Sequence, residues 1–572
     1  MSLGPPVAVV NLAFSWQFTA AQVHGSLAPR PRRHGDHWYA QYLQPKWRRW
    51  LTNTGNGPSA LILSYILHGH VPYYIGGHHD SILHSKLSDE PNLLRLTPDL
   101  YAHFLSSLRY STQALPVNTL LDTLIRPNAD TELNPESCIE WRYEPGRAIS
   151  HVAIGNTAQA GGQWADNPVS ASADIAALSY AEQLSLPGYS YADHIATKKE
   201  QDQCDFVRPS RTEFADYLGA YPDAVGIAQS VYTGLKVQDV YRTAKGFFIG
   251  SLGIRCKHLV LASGTFTVNI PPPPLLAPIV QLDSQQPPLL VIGSGFSAAD
   301  IIISTPPTRR IIHIYKWSPE KRPSPLRGCH SSAYPEYALV YRQMKLAAVA
   351  LKKSRTVKSS SLRRQSTPFL QKRDWNLYEG LPNAEIIDVS QPEPTGTARM
   401  TLRLASGEQV AREVGGLQYV VGRRGTLDFL SPALRTEILR SATEVLPLET
   451  QVLISGRTLR SKAESSLEVA KNVFITGSLT GDSLIRHAVG GCVFAAGRIL
   501  GAISTTYSPD STPSRSASAS ASDSEELDNT EAGISTPSDA TNGHSDLHLD
   551  RRKLFRGVET SRAKGREWVD SG

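Results

Sequence analysis

Pro288-Leu289-Leu290-Val291-Ile292-Gly293-Ser294-Gly295-Phe296-Ser297-Ala298-Ala299-Asp300 is the stretch that decides the fold. Four apolar residues, typical of a buried strand, run directly into a Gly-x-Gly-x-x-Ala turn and a helix predicted over residues 297–304. A second apolar run follows at residues 311–315. Strand, glycine turn, helix and strand in this order predict a dinucleotide-binding βαβ unit. Its nucleotide loop contains Gly293, Gly295, Ser297 and Ala298.

The residue after the second strand indicates which nucleotide binds. Lys316 stands 23 residues after Gly293, and Lys321 and Arg322 follow closely. An acid at this position accepts a hydrogen bond from a ribose 2′-hydroxyl, whereas a cation favours a 2′-phosphate. The sequence therefore predicts NADPH rather than NADH at this site.

A second glycine motif lies near the start of the chain, where Gly55 and Gly57 precede Pro58 and Ser59. The apolar stretch over residues 59–68 predicts a helix whose amino end faces a pyrophosphate. The preceding strand is poor in Val and Ile, so either it is short, covering residues 50–54, or the start of the chain departs from an intact fold. Residues 71–75 fit the second strand, and Asp80 is the nearest candidate for the acid that holds the ribose.

Two further strands end in turns of small residues. Within residues 257–266, a predicted strand ends in the turn Ala262-Ser263-Gly264. Within residues 472–482, a predicted strand ends in a turn that runs from Gly477 to Asp482. The order of these motifs along the chain is specific. Two nucleotide folds in one chain predict two cofactors.

The motif order resembles flavoproteins with two dinucleotide-binding domains, and within them the oxidative-stress-induced growth inhibitor family, close to flavin-dependent monooxygenases. The resemblance covers roughly residues 53 to 500. Its motifs are Gly55-Asn56-Gly57-Pro58-Ser59, Leu121-Asp122-Thr123-Leu124, Pro127-Asn128-Ala129-Asp130, Gly161-Gly162-Gln163-Trp164, Leu186-Pro187-Gly188, Tyr334-Pro335-Glu336-Tyr337, Val421-Gly422-Arg423-Arg424-Gly425 and Arg486-His487-Ala488-Val489-Gly490-Gly491-Cys492.

The resemblance implies an α/β fold with two Rossmann-like domains of the flavoprotein disulfide-reductase/monooxygenase type. It implies FAD at Gly55, Gly57, Pro58 and Ser59, with Gly162 and Trp164 beside the flavin, although Trp164 is also typical of a core aromatic. Gly264, Gly477 and Asp482 would complete this site, and the Gly293 loop would bind NADPH. The predicted domains are an irregular segment at 1–49, an FAD domain at 50–270 and 400–502, an inserted NADP domain at 271–399 and a tail at 503–572.

One expected motif is missing. The Phe-x-Gly-x-x-x-His signature of flavin monooxygenases belongs between the Gly264 turn and the Gly293 loop, but residues 271–288 contain no Gly or His. Two functions therefore stay open. One is an FAD-dependent, NADPH-using oxidoreductase of monooxygenase type that acts with O₂ on an amine, a sulfur compound or a ketone. The other is a regulatory or interaction protein that keeps the flavoprotein scaffold without turnover. No catalytic residue can be named.

Composition argues against several other classes of protein. The 572 residues are 41% hydrophobic and 19% charged, and a net charge of +6 spread over this length argues against a dedicated nucleic-acid binder. Five isolated cysteines predict neither disulfides nor a metal site, and no apolar run reaches the ~20 residues of a membrane span. We therefore expect a cytoplasmic protein. Eleven serines between residues 504 and 538 predict a disordered tail.

Overall fold

The structure is a computed structural model that describes residues 48–96, 114–127, 136–167, 169, 173–198, 207–284, 287–353, 373–448 and 451–506. The predicted N-terminal segment up to residue 47, Cys204, and the predicted tail from residue 507 onward lie outside the described residues.

The strands and helices of the described residues are numbered along the chain. The strands are β1 Arg48–Thr54, β2 His70–Tyr74, β3 Ile139–Tyr143, β4 His151–Ile154, β5 Val231–Tyr232, β6 Val240–Thr243, β7 Gly246–Ile249, β8 Ile254–Leu261, β9 Val268–Asn269, β10 Leu289–Ile292, β11 Ile311–Tyr315, β12 Tyr378–Pro382, β13 Glu385–Val389, β14 Ala398–Arg403, β15 Gln409–Val414, β16 Gly416–Tyr419, β17 Arg423–Thr426, β18 Leu446–Pro447, β19 Val452–Ile454, β20 Glu468–Ala470 and β21 Val473–Ile475. The α-helices are α1 Pro58–Leu67, α2 Ser81–Asp89, α3 Pro116–Ile125, α4 Ala181–Leu184, α5 Tyr191–Lys198, α6 Arg211–Ala224, α7 Phe296–Ser304, α8 Pro335–Lys353, α9 Pro432–Leu439, α10 Arg460–Ser466 and α11 Ala488–Thr506.

The first sheet is built around β1. Its strand order is β20-β21-β8-β1-β4-β5, and β1 pairs in parallel with β8 on one side and β4 on the other. The polar residues Thr52, Asn53 and Thr54 are buried there. The strand is therefore central and two residues longer than the short strand predicted from residue 50.

The predicted second strand of this fold is wrong. Residues 70–74 do form a strand, β2, but it pairs antiparallel with β3 in a separate two-stranded sheet. The strand that lies beside β1 is β4, about 80 residues further along the chain. The chain leaves the parallel sheet after α1, forms the β2–β3 pair and other segments, and returns to the sheet only at His151.

The second sheet contains β12, β11, β10 and β16 in that order, and all of its pairs are parallel. It includes β16, so it extends beyond the predicted domain boundary at residue 399. An antiparallel sheet of β13, β14 and β15 packs beside it, and β9 pairs with β17 where the chain passes between the two sheets. Two sheets with parallel central strands, each with a strand–glycine-turn–helix unit, confirm the predicted α/β class.

Helix α11 follows the last strand of the first sheet and packs on α1 and α3, and two of its glycines lie close to α3 and to the turn at residues 93–95. A Cβ atom at Gly490 would lie 2.2 Å from the carbonyl oxygen of Val117, and one at Gly497 would lie 2.0 Å from that of Leu94. The same helix extends to Thr506, four residues into the predicted tail. Among the described residues, no helix is both long and apolar enough to cross a bilayer.

Replacing Gly497 with alanine should lower the free energy of unfolding by about 1–3 kcal/mol, because the added methyl group overlaps a backbone atom that cannot move alone. Gly501→Ala is the matched control in the same helix, since nothing lies within 4 Å of its Cβ position. The control should be neutral or stabilising by up to about 1 kcal/mol. Urea unfolding followed by far-UV circular dichroism measures both, and equal effects would contradict the packing described here.

Candidate functional site

A cavity of about 590 Å³ opens at the carboxyl ends of the first sheet's strands. It is lined by residues from segments that are far apart in the chain. These include the nine residues that the family resemblance assigns to the FAD site: Gly55, Gly57, Pro58, Ser59, Gly162, Trp164, Gly264, Gly477 and Asp482.

The glycine turn after β1 lies directly against the end of β8. Gly55 has a φ angle of +146°, and a Cβ atom there would lie 2.5 Å from the carbonyl oxygen of Ala262. Gly57 then caps helix α1, which begins at Pro58 and has no acidic residue in its first turn. The free amides and the positive end of the helix dipole are thus available to an anion in the cavity.

Two other turns lie against the glycine loop at residues 55–59. The α carbon of Gly162 lies 3.9 Å from the Cβ position of Gly57, and a Cβ atom at Gly477 would lie 2.3 Å from the Ser59 hydroxyl oxygen. Trp164 packs edge-on against buried Phe214, with ring centroids 4.7 Å apart, and also lines the cavity. Its two possible roles, core aromatic and cavity wall, are therefore combined in one side chain.

Unpartnered polar atoms show that the cavity suits a polar ligand. The Gln163 Nε2 and the Ser263 Oγ are buried and have no hydrogen-bond partner among the described residues. Both residues line the cavity, beside Gly264. A buried donor without a partner costs about 1–3 kcal/mol, and the ribityl and phosphate oxygens of FAD could accept from both. The residues present therefore fit the flavin that the sequence predicts.

Asp482 lines the cavity, but both of its carboxylate oxygens are held by the protein. Oδ1 accepts from Arg460 Nη1 at 2.6 Å, and Oδ2 accepts from the Asn118 side chain at 2.6 Å and from the Leu115 amide at 2.8 Å. Asn118 also accepts from the Gly491 amide at 2.6 Å. This predicted ligand thus ties α3, α10 and the start of α11 together at the cavity wall.

Asp80, the candidate ribose acid, does not reach the cavity. It caps helix α2, where its Oδ1 accepts from the amides of Ile82 and Leu83 at 3.1 and 3.2 Å. The residue that follows the true neighbouring strand, β4, is Gly155, which is buried and lines the cavity. Sequence reasoning missed Gly155 and Gln163. The signal that could have found them is the Gly-Gly-x-Trp element, because it follows β4 in the chain and is separated from it only by residues 155–160.

The glycine loop after β10 repeats the geometry of the first. Gly293 has a φ angle of +155°, and its Cβ position lies 2.5 Å from the carbonyl oxygen of Val420. Gly295 caps helix α7, with Ser297 and Ala298 in the first turn. Lys316 is exposed and follows β11 directly, as predicted. The segment that follows Lys316 is held against the glycine loop, because the Ser324 hydroxyl donates to the Ser294 carbonyl at 2.6 Å.

Comparison with known proteins gives the same resemblance as the motifs. The chain is 24% identical over 491 residues to oxidative stress-induced growth inhibitor 1 of Mus musculus, which covers 78% of this chain and 94% of that protein. It is 23% identical over 496 residues to oxidative stress-induced growth inhibitor 2 of Homo sapiens, covering 77% of this chain and 90% of the relative. The chain is therefore similar in sequence to oxidative stress-induced growth inhibitors. No protein-family model matches it.

A similar course of the chain is found in solved structures of a monooxygenase and of a disulfide reductase. A flavin-containing monooxygenase from Stenotrophomonas maltophilia aligns over 80% of this chain and 99% of its own, at 14% identity and a TM-score of 0.42. A bacillithiol disulfide reductase from Bacillus cereus aligns over the same shares, at 12% identity and a TM-score of 0.43.

A buried histidine supports the second glycine loop. The Gly293 carbonyl can only accept, so His313 Nε2 carries the proton and donates to it at 2.7 Å, while Nδ1 accepts from the Tyr378 hydroxyl at 2.7 Å. Complete burial lowers the pKa of His313 to about 4. The neutral ring of His313, a residue of β11, therefore holds the first glycine of the loop.

This lowered pKa predicts acid sensitivity. Below pH 6.5 the unfolded chain binds a proton at residue 313 that the folded protein does not bind until about pH 4. Stability should therefore fall between these values, by up to about 1.4 kcal/mol per pH unit for this group. Denaturant unfolding at a series of pH values should show a shallower fall in His313→Gln, while His330→Gln, at an exposed position, serves as the control. An unchanged slope in His313→Gln would contradict the assignment.

Proposed function

We propose that this chain is an FAD-dependent, NADPH-using oxidoreductase of monooxygenase type that acts on a small molecule. The observation that carries the proposal is one cavity lined by the nine residues that the family resemblance assigns to FAD, with unpartnered donors on Gln163 and Ser263. A second glycine loop of the same geometry, followed by exposed Lys316, supports a separate nicotinamide nucleotide site.

The chain's own residues would bind and orient the cofactors. The α1 amides and Gly57 would hold the pyrophosphate of FAD, Gln163 and Ser263 would donate to its polar middle, and Trp164 would exclude water from one wall. Lys316 would bind the 2′-phosphate of NADPH. A bound flavin would supply the redox chemistry, passing electrons from the nicotinamide to O₂.

The cysteines favour oxygen chemistry over disulfide reduction. Among the described residues, Cys138, Cys256, Cys329 and Cys492 are unpaired, and none of them lines the cavity. Burial raises the pKa of Cys256 to about 11 and raises that of Cys492 further, so their reactive thiolates are suppressed. These unpaired thiols also support the proposed cytoplasmic location, because they suit a reducing compartment.

The second candidate function is a regulatory protein that keeps the scaffold without turnover. It is favoured by the missing monooxygenase signature between residues 271 and 288. NADPH consumption, measured with and without amines, sulfur compounds and ketones, separates the two functions. Bound FAD that NADPH never reduces would favour the regulatory protein.

Purified protein should be yellow and should release FAD when it is denatured. Gly55→Ala should weaken FAD binding about tenfold or more, because the new methyl group meets the Ala262 carbonyl and the positive φ angle is strained. Gly146→Ala is the control, since nothing lies within 4 Å of its Cβ position. Isothermal titration of the apoprotein measures both. Folded, colourless protein that takes up no added FAD would rule out the proposed function.

Lys316→Ala should weaken NADPH about ten- to a hundredfold and leave NADH nearly unchanged, because a charge-assisted contact to phosphate is worth roughly 1.5–3 kcal/mol. The flavin spectrum should not change. Lys345→Ala removes the same charge at an exposed position of α8 and is the matched control. Rates of flavin reduction by each nucleotide give the answer. Equal losses for NADPH and NADH would mean that Lys316 supports the fold rather than recognising the phosphate.

A further inference from the structure

The strand end that holds a ribose in most dinucleotide folds carries no side chain here. In such folds an acid after the second strand of the parallel sheet accepts from the ribose hydroxyls. In this chain that strand is β4, and the residue after Ile154 is Gly155. Its φ angle is not positive, so its backbone does not demand glycine.

The space in front of Gly155 is filled by the side chain of Asn56. A Cβ atom at residue 155 would lie 2.1 Å from Cγ, 2.2 Å from Oδ1 and 2.5 Å from Nδ2 of Asn56. Asn56 is the residue between the two glycines of the first loop, and it is only 2% exposed. Any larger residue at position 155 would therefore have to displace the Asn56 amide.

The Asn56 amide is fixed in this place by Thr157. Its Nδ2 donates to the Thr157 Oγ1 at 2.8 Å. The single hydroxyl proton of Thr157 can serve only one acceptor, and the Gln159 carbonyl at 2.7 Å is closer than the Asn56 Oδ1 at 3.0 Å. The Oδ1 atom is then left with accepting capacity, and Asn56, Gly155 and Thr157 all line the cavity.

We propose that Asn56 replaces the strand-end acid of this fold. A neutral amide, which extends from the glycine loop across the empty position of Gly155, is the acceptor for a ribose hydroxyl of the adenosine half of FAD. The inference rests on the proposed flavin function and deepens it by naming the residue that recognises the ribose. Asn56 and Gly155 form one unit, because the amide can occupy this place only when residue 155 has no side chain.

The test is a double-mutant cycle with FAD titrated into apoprotein. Gly155→Glu alone should weaken FAD at least tenfold, because the new side chain and the Asn56 amide compete for one space. Asn56→Ala alone should weaken FAD about five- to tenfold, through the loss of one hydrogen bond. The combined variant removes the three clashing atoms and supplies a carboxylate at the usual place. Its stronger, charge-assisted hydrogen bond should offset the added repulsion, so FAD should bind within about twofold of wild type. Ala158→Glu adds the same charge at an exposed position of this loop outside the cavity and should have no effect.

Rescue separates ribose recognition from a merely structural role. If Asn56 only stabilises the Thr157 loop, the combined variant stays as weak as the weaker single variant, and this result overturns the inference. Wild-type affinity in Gly155→Glu alone also overturns it. Melting temperatures of the apoproteins report folding, and the combined variant tests the inference even if Gly155→Glu does not fold. A wild-type protein that binds no FAD would overturn the proposed function itself, and the inference with it.

Discussion

The structure depends on one contact that occurs twice, the approach of a glycine to the backbone of the neighbouring strand. Gly55 meets the end of β8 and Gly293 meets the end of β16, and in each case a Cβ atom would lie 2.5 Å from a carbonyl oxygen. Both glycines have positive φ angles. Glycine adopts this backbone conformation without strain, so the chain turns sharply at Gly55 and at Gly293. Each following helix therefore begins at the end of its sheet, with its amides facing the strand ends. Any side chain at either position would push the turn off the sheet and remove the anion site.

The second nucleotide fold could be predicted in detail because it is contiguous in the sequence. The strand, turn, helix and second strand occupy residues 289–315, and the count from Gly293 leads to the residue that follows β11. The same count fails in the first fold. There the chain leaves the sheet between α1 and β4 to build the β2–β3 pair, so counting from Gly55 leads to Asp80, which caps a helix. A spacing rule assumes that nothing is inserted, and the apolar pattern of β2 does not reveal which sheet it joins.

The polar central strand was the other feature that the sequence could not explain. Thr52 and Asn53 are buried in β1, which looks unsuitable for the middle of a parallel sheet. The strand is accommodated because its backbone is paired on both sides, and because its neighbours β4 and β8 and the helix α1 supply the apolar surface. The turns that the sequence singled out line the cavity, but the sequence could not show that the Asp482 carboxylate is already used by Arg460, Asn118 and Leu115.

The charges around the cavity bear on the proposed role of Asn56 at the strand end. Of the acids that line it, Asp482 is paired with Arg460 and Asp428 with Arg435, while Asp166 is exposed. Nearby, Asp122 is buried between Arg126 and Arg486, and these two arginines hold its pKa below the usual range despite the burial. The amino end of α1 and the neutral residues Asn56, Gln163 and Ser263 also line the cavity. A diphosphate already carries the negative charge that such a surface attracts, so a further carboxylate beside it would add repulsion. A neutral amide can accept from a ribose hydroxyl without this repulsion. The absence of repulsion is consistent with Gly155 and Asn56 occupying the strand end together.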